Sequence, residues 1–135
     1  MVLDKNLFVK LLLPAAILRD LTEHEMDVYT APFKEQGESR RPTLTWPREI
    51  PILEAGPPDV CQFAADYSQW LAQSEDVPKL YIRADPGFFT AMIDVVVRDW
   101  PNNRQVTVQG HHFLQEDSPD EIGVAVRDFI QTLDQ

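Results

Sequence analysis

Two runs decide the fold: Lys79-Leu80-Tyr81-Ile82-Arg83-Ala84 followed by Asp85-Pro86-Gly87, and Arg104-Gln105-Val106-Thr107-Val108-Gln109 followed by Gly110-His111-His112-Phe113. Each apolar-rich run ends in turn or loop chemistry and predicts a strand. Between them, Phe89 to Trp100 predicts a helix that Pro101 stops. A helix crossing between two strands joins them in parallel.

A final helix follows. Ser118 is placed to cap it, Pro119 to occupy its first turn and Glu121 to complete a capping box. Ile122, Val126, Phe129, Ile130 and Leu133 then line one face. Upstream, Asp59 is a candidate cap for a helix with Val60, Phe63, Ala64, Tyr67, Trp70 and Leu71 on one stripe. Cys61 lies at the edge of that stripe and reads as packing.

The fold class is therefore α/β. Parallel sheets are covered on both faces, and two strands alone leave long unpaired edges, so the pattern predicts further strands that this chain does not supply.

At the N-terminal side, Leu7, Phe8, Leu11 and Leu12 predict one apolar helical face, ended or kinked by Pro14. Thr22 and Glu25 have capping-box spacing, with a short helix expected to run to Pro32. From Lys34 to Pro58, five prolines between Pro42 and Pro58, with Gly37 and Gly56, predict an irregular covering segment.

The 135 residues, 44% of them hydrophobic, suit one ordinary domain. A formal net charge of −10 disfavours nucleic acid or an anionic membrane as partners, since both need clustered Lys and Arg. The single cysteine excludes an internal disulfide and favours a reduced, cytoplasmic setting. The apolar stretch Leu7–Leu18, interrupted by Lys10, is too short to span a bilayer and lacks a leader's cleavage pattern.

Open α/β sheets carry functional side chains at the carboxyl ends of their strands. His112 stands there as a candidate general base, with a surface His-His pair as the alternative. Asp85 is open to two readings, an orienting carboxylate for that base or simple turn chemistry. No metal site is expected: His24 is remote, and His24-Glu25-Met26-Asp27-Val28 lacks a zincin's second histidine. Gly-x-Ser-x-Gly, Gly-x-Asp-x-Gly and Gly-rich oxyanion loops are all missing, so the base has no nucleophile within this chain.

Phe33-Lys34-Glu35, Arg40-Arg41-Pro42-Thr43-Leu44, Trp46-Pro47-Arg48-Glu49-Ile50-Pro51, Asp85-Pro86-Gly87-Phe88-Phe89, His112-Phe113 and Gln115-Glu116-Asp117 together resemble the haloalkane dehalogenase and Renilla-type luciferase family of α/β-hydrolases. The resemblance runs over nearly the whole chain and implies the C-terminal half of that fold, beginning inside the helical cap. Residues 1–57 would be partial cap and covering segment, and residues 58–135 the C-terminal portion of the core.

In such a family an aspartate displaces halide to give an alkyl ester, and the histidine matching His112 activates the water that hydrolyses it. Luciferase members oxidise coelenterazine with oxygen in a similar pocket, and neither chemistry uses a metal or flavin cofactor. The resemblance implies pocket roles for Phe8, Pro47, Ile50, Phe88, Phe89 and Phe113. It places the nucleophile, the halide-binding residues and the triad glutamate in a missing N-terminal half, which weakens the orienting role of Asp85.

Leu7 stands where the luciferase has phenylalanine, and His111 where the family usually has leucine. The parent function implied is cleavage of carbon–halogen bonds in a small hydrophobic organohalide, with coelenterazine oxidation as the alternative. A non-catalytic truncated binding protein is the third reading, and the chain alone is expected to be inactive.

Overall fold

The computed structural model describes residues 1–51 and 56–133; positions 52–55 of the covering segment and 134–135 lie outside the described residues. The chain divides into two compact units, residues 1–15 with 20–67, and residues 16–19 with 68–135.

The first unit is helical. It holds α1 (Val2–Lys5), a π-helical turn (Phe8–Leu12), α2 (Leu13–Ala15), α3 (Glu23–Thr30) and α4 (Arg41–Thr45). The capping box at α3 forms as the spacing predicts: the Thr22 hydroxyl accepts from Glu25 N–H, and the Glu25 carboxylate accepts from Thr22 N–H.

Two expectations fail here. The buried apolar residues near the N-terminus are Val9 and Leu13, while Leu11 and Leu12 are exposed. A π turn advances fewer degrees per residue than an α turn, so it shifts which side chains share a face. Pro14, expected to end or kink a helix, lies inside the short α2.

The segment from Lys34, expected to be irregular, contains 3-10 turns at Glu38–Arg40 and Trp46–Glu49 around α4. Pro42 and Pro47 occupy the second positions of α4 and of the second 3-10 turn, in the first turn, where a missing N–H costs no helical hydrogen bond.

Buried Arg40 organises this unit. Its guanidinium donates to the carbonyls of Phe33, Leu3, Asp4 and Lys34 at 2.7–2.9 Å, drawing two stretches of backbone onto one rigid fork.

Helix α5 (Pro58–Gln73) starts one residue before the expected cap, so Asp59 lies in its first turn. Its Phe63, Tyr67 and Trp70 are all more than half exposed.

In the second unit, β1 (Lys79–Pro86), α6 (Thr90–Val97), β2 (Asn103–Gly110), α7 (Leu114–Asp117) and α8 (Pro119–Leu133) follow the predicted order. The strands pair in parallel, with Ala84 opposite Val108 and Pro86 opposite Gly110. Tyr81 and Arg83 reach Asp94 of α6, so the odd-numbered positions of β1 face α6. Ala84 and its partner Val108 point to the other face, where Ala125 of α8 is buried as well.

Buried Lys79 begins β1 with all three ammonium protons used, donating to the carbonyls of Ser74, Val77 and Pro101 at 2.6, 3.0 and 2.8 Å. That arrangement satisfies a charge that would otherwise be costly to bury.

The predicted stripe on α8 divides. Ile122 and Phe129 are half-buried, whereas Ile130 and Leu133 stay about half exposed and Val126 is 39% exposed. Met92, Ile93, Val95 and Val96 of α6 are likewise exposed. Among the described residues the sheet has two strands, and both flanking helices leave extensive apolar surface exposed.

Candidate active site

The functional end of the second unit forms where both strands stop. β1 runs through the cis bond Asp85–Pro86 into Gly87, whose φ of 65° requires glycine. A Cβ there would also lie 1.7 Å from Thr90 Oγ1, whose hydroxyl donates to the Ala84 carbonyl. This tight turn projects Phe88 and Phe89, both exposed, at the strand end.

β2 ends at Gly110, where a Cβ would lie 2.6 Å from Leu114 Cδ2, and the chain turns into His111-His112-Phe113. The His112 imidazole is exposed and enclosed edgewise by aromatic rings. Its centroid lies 5.5 Å from Phe89, 6.1 Å from Phe88 and 4.8 Å from Phe113, with interplanar angles of 73–76°. Phe88 and Phe89 pack edge to face at 4.6 Å. Four of the predicted site residues, His112, Phe88, Phe89 and Phe113, are thus brought together from two strand ends.

Phe8, Pro47 and Ile50 belong to the first unit. Each is half-buried, Phe8 in the π-helical turn and Pro47 in the 3-10 turn that ends before Ile50.

The backbone of the histidine loop is held at three points. His112 and Phe113 N–H groups both donate to the Ala16 carbonyl, at 3.0 and 3.2 Å. His111 N–H donates to Asp117 Oδ2 at 3.0 Å, and Asp117 Oδ1 accepts from Leu18 and Arg19 N–H at 2.8 and 3.1 Å. Arg19 adds an ion pair to Glu116 at 2.8 Å and a bond to the Glu116 carbonyl. The Ser118 hydroxyl donates to the Gln109 carbonyl at 2.7 Å, fastening the start of α8 to the end of β2.

Sequence reasoning noted Asp117 only as part of a motif. Its role rests on partners nearly a hundred positions away. The local signal was a carboxylate six residues after His111, within reach of the loop it caps.

Asp85 is exposed and shares no hydrogen bond with His112, which leaves it as turn chemistry. The half-buried His111 packs edgewise on Phe88 at 5.2 Å, and its Nδ1 is buried without a hydrogen-bond partner. Among the described residues no cluster of three His, Cys, Asp or Glu is placed to hold a metal ion. None of their helices is long and apolar enough to cross a membrane.

An imidazole fixed through its backbone, with its ring open on one side and apolar rings on the others, can take a proton from water beside an apolar substrate. It cannot by itself form a covalent intermediate with a carbon centre through a carboxylate, and no strand-to-helix nucleophile turn occurs among the described residues.

No family model matches the chain. It is 53% identical over 134 residues to a haloalkane dehalogenase of Sphingobium indicum, covering 98% of this chain and 45% of that protein. It is 48% identical over 131 residues to the coelenterazine h 2-monooxygenase of Renilla reniformis, covering 97% of this chain and 42% of that protein. The crystal structure of a haloalkane dehalogenase from Bradyrhizobium elkani superposes with a TM-score of 0.87 at 40% identity, covering 99% of this chain and 46% of that one.

The chain thus spans under half the length of the relatives it matches. Over that span, the parallel strand-helix-strand unit and the sequence identity make it a member of the haloalkane dehalogenase and Renilla-type luciferase family, forming a C-terminal part of the α/β-hydrolase fold.

Proposed function

We propose that this chain is the base-bearing part of a cofactor-independent hydrolase that cleaves carbon–halogen bonds, with His112 as general base. The observation that carries the reading is the His112 imidazole at the carboxyl end of β2, ringed by Phe88, Phe89 and Phe113. The kinship with dehalogenases supports it.

In this reading residues 1–57 contribute cap and covering segment, and the family resemblance implies pocket roles for Phe8, Pro47 and Ile50. The aspartate that displaces halide comes from an N-terminal portion outside this chain. Its carboxylate oxygen bonds to the substrate carbon as halide leaves. A water oxygen then adds to the ester carbonyl while its proton passes to His112, and collapse releases the alcohol and restores the carboxylate. The net change is organohalide plus water to alcohol, halide and a proton. The apolar rings suit a small hydrophobic substrate, and a reduced, cytoplasmic setting fits the single cysteine.

The test is a chimera in which this chain replaces the matching part of the Sphingobium indicum dehalogenase. Halide release from a bromoalkane supports the reading; a folded chimera that binds the bromoalkane without releasing halide contradicts it.

A second reading, oxidation of coelenterazine by the parent, draws on the 48% identity to the Renilla reniformis monooxygenase. Light emission from coelenterazine in place of halide release, with this chain joined to the corresponding part of that enzyme, would favour it.

A further inference from the structure

We propose that Asp117 is the positioning residue of the base, acting through a strap formed by Ala16–Arg19. One carboxylate accepts from three backbone N–H groups on two stretches of chain: Leu18 and Arg19 through Oδ1, and His111 through Oδ2. The strap returns the connection, because the Ala16 carbonyl accepts from both His112 and Phe113 N–H. The result is a closed loop of bonds: Asp117 holds Leu18 and Arg19, their neighbour Ala16 holds His112, and His111 is held by Asp117.

A carboxylate is suited to this work because both its oxygens accept and neither donates. An amide in its place presents one acceptor and one donor. Whichever way the amide turns, at least one of the three N–H groups then faces another N–H. The Arg19–Glu116 ion pair, partly exposed, braces the same strap from its outer side and contributes less.

Asp117 therefore sets the position of His112 without touching its ring. With the strap in place, the imidazole keeps its edgewise seat among Phe88, Phe89 and Phe113. Without it, His112 and Phe113 lose both of their N–H bonds to the Ala16 carbonyl.

This role rests on reading His112 as the base. The experiment reads the position of the ring rather than turnover, so it fails or succeeds independently of halide release. It uses nuclear magnetic resonance on the full chain, unaltered and as Asp117→Asn and Glu116→Gln.

In the unaltered chain, the amides of Leu18, Arg19, His111, His112 and Phe113 are expected to exchange with solvent as one group. In Asp117→Asn their protection falls about tenfold or more, the effect of losing one hydrogen bond to a charged group. The His112 ring signals then move, while Val106 and Val108 of β2 stay protected. Glu116→Gln leaves the ring signals in place.

Unchanged His112 ring signals in a folded Asp117→Asn chain would overturn the proposal. If that variant does not fold, the unaltered chain decides. Exchange of Leu18 and Arg19 in step with His112 and Phe113 supports the strap, and exchange of the two pairs at unrelated rates overturns it.

Discussion

The Gly87 N–H donates to the Gly110 carbonyl at 3.0 Å, joining the two loops that leave the strand ends. One of these loops carries Phe88 and Phe89, the other His112 and Phe113. The parallel ladder thus continues one step past Pro86, and the aromatic rings and the imidazole inherit their spacing from it.

Replacing Gly87 by alanine strikes this junction twice, through the positive φ and through the clash with Thr90. Gly87→Ala is expected to destabilise the second unit by about 1–3 kcal/mol, the usual cost of one strained backbone position. A urea midpoint measurement checks this. A midpoint unchanged from the parent would show that the turn is not held as described.

Arg40 makes a parallel case in the first unit, where four carbonyls depend on one buried guanidinium. Arg40→Met leaves buried acceptors unsatisfied and should cost about 3 kcal/mol or more. Arg40→Lys should recover only part of this, because one ammonium cannot match the fork. Chemical denaturation of both variants gives the ranking, and equal stability of lysine and methionine would contradict it.

Tyr81 is held neutral well into alkali. Desolvation first, then its hydrogen bond to Asp94, push the phenol up from 10.0 to about 12, with nearby Arg83 opposing. Since the folded value lies above the ordinary one, its contribution to stability is intact below pH 10 and is lost as pH rises toward 12. The alkaline rise of phenolate absorbance should contain a late component near pH 12 that Tyr81→Phe removes. An alkaline absorbance rise whose late part is unchanged in Tyr81→Phe would contradict this.

The strands, the crossover helix, the capping box at Thr22 and the final helix were legible because each rests on a local period or cap. The π-helical turn was not, since the 3.6-residue pattern assumes a uniform turn and assigned Leu11 and Leu12 to a face on which Val9 and Leu13 are the buried residues. The helical turns around Pro42 and Pro47 were missed because proline density reads as irregular unless each proline falls within the first turn of a helix.

At the site, His112 was read as a candidate base from its place after a strand end, and the three phenylalanines were singled out only through the family resemblance. Asp117 and the Ala16–Arg19 strap were not legible, because their bonds join positions that no local spacing connects.

The central claim is that His112 serves as base for hydrolysis of an ester formed by a nucleophile outside this chain. The most direct measurement is halide release over time by the dehalogenase chimera carrying His112→Ala. If His112 acts only on the ester, displacement of halide survives and hydrolysis does not, so release should stop after one stoichiometric burst with the alkyl group retained on the protein. Continuous turnover at the parent chimera's rate would contradict the account.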